Sequence, residues 1–356
     1  MLPINFTFAL QFLGLLKGKE AYLQKRKPCS GLWKQRGLDM KYKFLVLALF
    51  LSWLTFCPFP EAAVTIPDSY DEQLPGAVFI PQDVPLSVSE TSLKSSGIRI
   101  LVFADGGIAN ELEVTVSKTM KNFCIKNDCH LALMLGDNFY PTGVRSVDDP
   151  QFIEKYEKLY AGLDIPVFVV LGEHDWGRKG EMYNWKAQIE YSKKSKTWRM
   201  PSDVYSITLG DVKIFALNTN SFPISKYQKN WLQGELGKSK ARWNLVMGHK
   251  PIHSYGFHGD TDFMVRDVLP LLCGRADLFL SAHEHNEQVL KADCGLPLVI
   301  PGSTALPRSI KTKGPRTLFV NDAPGFAYLI VKDNELTVQL VTATGEIVYT
   351  LVIPKG

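Results

Sequence analysis

Carboxylates and imidazoles recur in this chain directly after short apolar runs. Asp105 follows the run Ile98–Phe103, and Asp137 follows Leu131–Leu135 within Gly-Asp-Asn-Phe-Tyr. Glu173-His174-Asp175 follows Pro166–Leu171, His249 follows Trp243–Met247, and His283 and His285 follow Leu278–Ala282. Of the seven histidines, five (His174, His249, His258, His283, His285) fall in such post-strand loops, and His253 lies between two of them. Singly, each has an ordinary explanation: Asp105 before Gly106-Gly107 suits a turn, Asp137 a helix cap, and His249 or His283 a satisfied core position. Together they point to metal, because strand ends in a layered α/β protein converge on one edge, where ligands bind. Oxygen and imidazole donors without thiolates suit iron, manganese or zinc. An Asp between two such sets can bridge two ions, and two ions about 3.5–4 Å apart can clamp a phosphoryl group.

The elements that must position these residues follow a strand, loop, helix rhythm from Ile98 onward. Leu112, Val116, Met120 and Phe123 have helical spacing. Helices are also expected over 152–160, 182–195, 227–236 and 262–273, and late short strands over 298–300, 327–331, 335–340 and 347–352. Gly210-Asp211 between two apolar runs predicts a hairpin. The mixture of crossovers and hairpins predicts an α/β fold of α/β/β/α layers, organised as a single catalytic domain over 97–356. Residues 64–96, rich in Pro, Ser and Asp, read as an extended lead-in segment.

Composition bounds the rest. The 356 residues are 46% hydrophobic and 21% charged, which excludes a disordered tail, a collagen and a small disulfide scaffold. The formal charge of +4 arises before residue 64, where nine basic side chains face three acids; the remainder holds 31 against 33. The body therefore offers no general reason to bind nucleic acid. Met40-Lys41-Tyr42-Lys43 precedes an uncharged stretch from Phe44 to Phe56, a signal-peptide pattern too short to span a bilayer. Residues 1–63 are thus expected to be a leader, with Met40 the start and Ala62-Ala63 near the cleavage point. An uncleaved anchor or a buried helix is the alternative for 40–63, and a long basic n-region or a second membrane-associated helix for 1–39. After leader removal we expect an exported monomer with no stable membrane anchor, in periplasm, a lysosome-like compartment or the medium.

Four cysteines lie in the body: Cys124, Cys129, Cys273 and Cys294. They allow three pairings, of which Cys124–Cys129 and Cys273–Cys294 are favoured by proximity in sequence; four free thiols are the alternative. No Cys-x-x-Cys suggests a thiolate zinc site, and no Asn-x-Ser/Thr acceptor lies beyond residue 63.

Five ordered blocks carry a resemblance to a known family. They are Ala104-Asp105-Gly106-Gly107, Gly136-Asp137-Asn138-Phe139-Tyr140, Gly172-Glu173-His174-Asp175, Gly248-His249-Lys250-Pro251 and Ala282-His283-Glu284-His285. From Ile98 to Pro354 the chain resembles the small purple acid phosphatases of the tartrate-resistant type, within the metallophosphoesterases. The resemblance implies two packed β-sheets flanked by helices. It implies a ferric ion held by Asp105, Asp137, Tyr140 and His285, with Tyr140 giving the colour through phenolate-to-iron charge transfer. A second divalent ion (Fe, Zn or Mn) would share Asp137 and be held by His249, His283 and position 173. His174 and His258 would be the catalytic histidines near the leaving group and phosphate. The implied reaction is hydrolysis of small phosphate monoesters by a metal-activated hydroxide.

Three departures matter. Glu173 stands where the family has Asn, adding a negative charge beside an anionic substrate. Gly106 replaces an aromatic residue, which is expected to loosen the pocket wall. The segment 218–227 is short, so regulation by cutting a long loop there is not expected. Lys250 and His253 are extra basic groups, read either as compensation for Glu173 or as surface residues. Two rival functions remain: a scaffold that has lost catalysis, as in some relatives with degraded sites, and a phosphodiesterase or nucleotidase, which Tyr140 disfavours.

Overall fold

The computed structural model describes residues 83–86, 97–176, 184–223 and 225–355. The expected leader and most of the lead-in segment lie outside the described residues. In chain order the elements begin with β1 (Asp83–Pro85), β2 (Ile98–Phe103), α1 (Glu111–Asn127) and β3 (Leu131–Met134). Helix α2 joins a π-wound turn, Ile153–Glu157, to Lys158–Tyr160. Then come β4 (Val167–Val169), α3 (Glu173–Trp176), α4 (Lys186–Tyr191), β5 (Trp198–Arg199), β6 (Tyr205–Leu209), β7 (Val212–Ala216), α5 (Lys226–Lys238) and β8 (Trp243–Met247). Helix α6 runs through Met264–Val268 and Leu269–Leu272. The chain ends in β9 (Leu278–Leu280), β10 (Glu287–Lys291), β11 (Pro297–Pro301), β12 (Thr317–Asn321), β13 (Gly325–Lys332), β14 (Glu335–Thr342) and β15 (Ile347–Pro354).

These strands form two sheets. One has the order β1-β6-β7-β8-β9-β11-β10-β12, the other β15-β14-β13-β2-β3-β4-β5. The period of two along each strand sorts side chains between layers. Along β2, Ile98, Ile100 and Val102 enter the core between the sheets, while Leu101 and Phe103 face the helical layer of α1 and α2. Along β8, Leu245 and Met247 face inward, and Val246 packs under α5 and α6 with Leu232 and Met264. The expected α/β/β/α layering is therefore the observed one. The Gly210-Asp211 hairpin forms, pairing β6 with β7 from Leu209↔Val212 to Tyr205↔Ala216.

Both disulfides form in the favoured pairing. Cys124–Cys129 ties the end of α1 to the approach to β3, and Cys273–Cys294 ties α6 to the turn after β10. The lead-in segment contributes one feature not anticipated: β1 adds to the sheet edge in parallel with β6, Asp83 opposite Ser206. Among the described residues, no helix is long and apolar enough to cross a membrane.

Candidate metal centre

The parallel strands deliver their C-terminal ends to one edge. β2 and β3 pair in register (Phe103↔Met134), as do β3 and β4 (Met134↔Val169), and β8 and β9 (Met247↔Leu280). Asp105, Asp137, the turn at Glu173, His249 and the His283–His285 loop follow these strands directly. The structure brings all seven candidate ligands together, in two groups that share one residue. Asp137, Glu173, His249 and His283 form the first; Asp105, Asp137 and His285 form the second. The Tyr140 hydroxyl joins the second group, donating to Asp137 Oδ2 at 2.7 Å and lying 3.0 Å from His285 Nε2.

The backbone is bent to achieve this. Asp105, Asp137, His283 and His285 all have positive φ (51°, 52°, 75° and 60°). Each such non-glycine residue costs about 1–3 kcal/mol, and clusters of them mark functional sites. Gly172 lets the 172–175 turn approach closely, since a Cβ there would lie 2.0 Å from Asp137 Oδ1. Asp175 fastens that turn to the Asp137 loop, accepting from the backbone N–H of Asn138 (3.0 Å) and Gly172 (2.9 Å) and from Gln188. Burial, with Asp137 beside it, pushes Asp175 up to about 7 despite these donors.

The histidines are oriented from behind. His249 Nδ1 lies 2.9 Å from the Leu135 carbonyl and His285 Nδ1 2.7 Å from the Leu306 carbonyl. Each Nδ1–H donates backward, so each Nε2 faces the centre, the usual arrangement behind a metal-ligating imidazole. Glu173 lies between two rings, Oε2 at 2.9 Å from His249 Nε2 and Oε1 at 2.9 Å from His283 Nδ1. These pairs are at ion-pair distance but off hydrogen-bond geometry, leaving Glu173 Oε2, His249 Nε2 and His283 Nδ1 without hydrogen-bond partners.

The electrostatics ask for cations. Burial raises Asp105 well above the carboxylate range, with His249 opposing and Asp137 adding to the shift. Burial alone would push His249 down, yet Asp137 and Glu173 pull it well above its ordinary value. Burial, then Asp105 and Asp137, hold the Tyr140 phenol far above its usual range. A cluster of buried carboxylates that forces a proton onto a buried imidazole has the charge pattern of a cation site. The oxygen and imidazole donors, with their orphaned atoms turned inward, fit hard or borderline ions.

His174 and His258 stand at the rim. His174 donates from Nδ1 to the Pro141 carbonyl (2.8 Å), and its Nε2 lies 4.0 Å from Asp137 Oδ2. The His258 ring stacks on His283 at 4.1 Å, and its backbone N–H donates to the buried Glu284 (3.0 Å). His253 is buried and its Nδ1 pairs with Asp260 at 2.7 Å, so it is not a surface residue.

The expectation for Gly106 is corrected. A Cβ there would lie 2.5 Å from Glu113 Oε1 and 2.7 Å from Thr304 Oγ1. The wall is closed by a polar clamp that sequence reading did not single out. Buried Glu113 accepts from the backbone N–H groups of Gly107 (2.7 Å), Ile108 (3.0 Å) and Ala109 (2.7 Å) and from the Tyr160 hydroxyl (3.1 Å). Its own N–H donates to Asn110, the N-cap of α1. The only sequence signal for this role is an acid three residues after Asn, just beyond a Gly-Gly turn. Glu113→Gln leaves one acceptor oxygen for donors on two sides. We expect a loss of about 2–3 kcal/mol of stability and a roughly tenfold fall in kcat/KM as the Asp105 loop relaxes. Thermal melts and steady-state kinetics check both, and unchanged values would remove Glu113 from the account.

Comparisons with known proteins agree with this geometry. The calcineurin-like phosphoesterase family matches residues 98–287. Tartrate-resistant acid phosphatase type 5 of Oryctolagus cuniculus is 33% identical over 263 residues, covering 64% of this chain and 79% of the relative. A solved structure described as GAP50, the anchor in the inner membrane complex of Plasmodium, superposes with TM-score 0.65 at 24% identity, covering 73% of this chain and 89% of that one. Purple acid phosphatase PPD1 from Lupinus luteus seeds gives TM-score 0.56 at 16% identity over 72% of this chain and 53% of that one. These two likenesses are of fold.

Proposed function

The chain belongs to the calcineurin-like phosphoesterase family, as a metallophosphoesterase of the purple acid phosphatase type, and we propose that it hydrolyses small phosphate monoesters at a two-metal centre. One observation carries the reading: two donor groups share the single carboxylate of Asp137. Asp105, Asp137, Tyr140 and His285 would hold a ferric ion, and Asp137, Glu173, His249 and His283 a divalent Fe, Zn or Mn. Bound there, the two ions would supply positive charge for the phosphate oxygens and lower the pKa of the attacking water.

The chain's own residues do the rest. Leu135 and Leu306 carbonyls hold the imidazoles of His249 and His285 in register. His174 and His258 flank the position where the leaving oxygen departs, so a protonated imidazole there offsets developing charge and delivers a proton. Burial, then His283 and Arg308, push His258 down to about 4. Its imidazolium is therefore populated only at acidic pH. Turnover of alkyl phosphates, which need leaving-group protonation, is expected to climb as pH falls from 7 toward 4, while phenyl phosphate changes less. A pH profile on both esters tests this; hydrolysis of neither, after loading with iron and zinc, would sink the enzymatic reading.

The scaffold alternative rests on Glu173 alone. That side chain points at His249 and His283 rather than away, so the position still offers a ligand. The two disulfides support an exported protein, since such bonds persist in oxidising compartments. We infer a monomer acting on small phosphate esters.

A further inference from the structure

Tyr140 has every polar atom engaged. Its hydroxyl donates to Asp137 Oδ2 and lies beside His285 Nε2, and its N–H donates to the Gly107 carbonyl (3.0 Å). Its carbonyl accepts from the ammonium of Lys155 on α2. Lys155 also donates to Gln151 Oε1 (2.8 Å), and the Gln151 amide donates in turn to the Gly143 carbonyl (3.4 Å). Two side chains four residues apart therefore grip both ends of the 140–143 loop.

That loop serves both sides of the site. Between the gripped carbonyls, the Pro141 carbonyl accepts from His174 Nδ1 (2.8 Å), and the Gly143 N–H donates to the His174 carbonyl (2.8 Å). The Tyr140 ring packs on the His174 ring at 4.4 Å. Gly143 lies so close to the 172–175 turn that a Cβ there would be 2.8 Å from the Asp175 carbonyl oxygen. The loop thus has a wall, the His174 turn, and a clamp, the Lys155–Gln151 pair.

The clamp has a fixed base and a strong grip. Ile153–Glu157 is π-wound, the Lys158 N–H bonding to the Ile153 carbonyl, and Phe152 and Tyr156 on this stretch are buried in the core under the helical layer. Lys155 itself is half-buried and makes no ion pair among the described residues. Burial holds it below the usual lysine value, with Glu113, Asp149 and Glu154 opposing the shift. A charged donor makes a hydrogen bond about twice as strong as a neutral one. The carbonyl that leads out of Tyr140 is therefore held more firmly than in an ordinary turn.

We propose that Lys155, backed by Gln151, is a positioning residue for Tyr140 and, through the 140–143 loop, for His174. This rests on the reading of Tyr140 as a ligand of the ferric ion. Clamping the Tyr140 backbone presents its phenol to the site at a fixed depth. Contacts that orient a ligand from outside are worth about 10–100-fold in metal affinity.

The test compares the full native chain with Lys155→Met, which removes the charge, and with Lys155→Arg, which keeps a cationic donor. Hydrogen exchange on the metal-free chain comes first, because it depends on no ion. Loss of the charged bond should speed exchange over 140–144 by about tenfold and leave 131–135 unchanged. Lys155→Arg should restore most of that protection, and Lys155→Gln repeats the comparison should the Met chain not fold. Equal exchange in native and neutral variants would overturn the clamp. With iron loaded, Lys155→Met should bind the ferric ion about 10–100-fold more weakly and shift or dim the Tyr140 visible band, while zinc binding by the Asp137, Glu173, His249, His283 group stays within about threefold. Parallel losses at both donor groups would mean that Lys155 only stabilises the fold, and would reject the positioning role. A native chain that takes up no iron but shows the expected exchange would sink the ferric reading alone and leave the clamp on Tyr140 standing.

Discussion

Asp137→Asn is expected to lower kcat/KM on phenyl phosphate by about three orders of magnitude or more and to reduce bound metal below two ions per chain. The reason is position. The Asp137 carboxylate belongs to both donor groups, accepts from the Tyr140 hydroxyl at 2.7 Å and the His174 backbone N–H at 3.0 Å, and is almost fully buried. Asn keeps the shape but places two N–H donors on the side where a cation must sit, and removes the charge that two ions would share. The turn at Gly172 packs against this carboxylate so closely that a Cβ there would lie 2.0 Å from Oδ1. Metal analysis by mass spectrometry beside steady-state kinetics measures both effects. A variant with full metal and activity within tenfold of native would show that Asp137 is not shared.

Glu173→Asn should act in opposite directions on metal and turnover. Two carboxylates now contribute to the Asp137, Glu173, His249, His283 group. Replacing one with a neutral amide should weaken the divalent site by about 10–100-fold. At saturating metal, the same change removes a negative charge beside an anionic substrate. There kcat/KM should hold steady or rise by up to about tenfold. The cluster's charge also relaxes: burial holds His283 down while Glu173 opposes it, and Asp137 and Glu173 together hold His249 up. Metal titrations of activity separate the two effects. A loss beyond tenfold at saturating metal would show that the Glu173 carboxylate is required. An inactive native chain revived by Asn would assign Glu173 as the residue that silences the site.

Much of the site is legible in the sequence because chemistry follows strands. A run such as Leu131–Met134 must be buried on both faces, so the Asp137 loop after it has to emerge at the sheet edge. The same logic located Asp105, His249 and His283. The parts that stayed hidden have physical reasons. Strand β10 reads Glu-Gln-Val-Leu-Lys, with polar residues buried where period-two patterning expects apolar ones. Burial pushes Glu287 up to about 7, its Oε2 accepting from Asn321 at 2.8 Å, and neither fact is visible in a residue string. Strand β1 does alternate, with Val84 and Leu86 packing on the core between the sheets, but it is three residues long, carries Pro85, and pairs only where β6 offers an edge. Glu113 looks like an ordinary first-turn acid, and its role depends on Tyr160, 47 residues later, and on a turn that leaves three N–H groups unpartnered. The Gly106 expectation failed for the same reason: the missing side chain's space is filled from distant segments. Left-handed backbone at Asp105, Asp137, His283 and His285 is likewise a tertiary outcome, since none of these residue types demands it.

The most direct measurement is the metal content of the purified chain, read with its visible spectrum and its activity on phenyl phosphate before and after chelation. We expect two ions per chain, at least one of them iron, a visible band dependent on Tyr140, and activity lost on chelation and regained on reloading. Fewer than two ions after reconstitution, or hydrolysis indifferent to their removal, would contradict the two-metal centre built around Asp137.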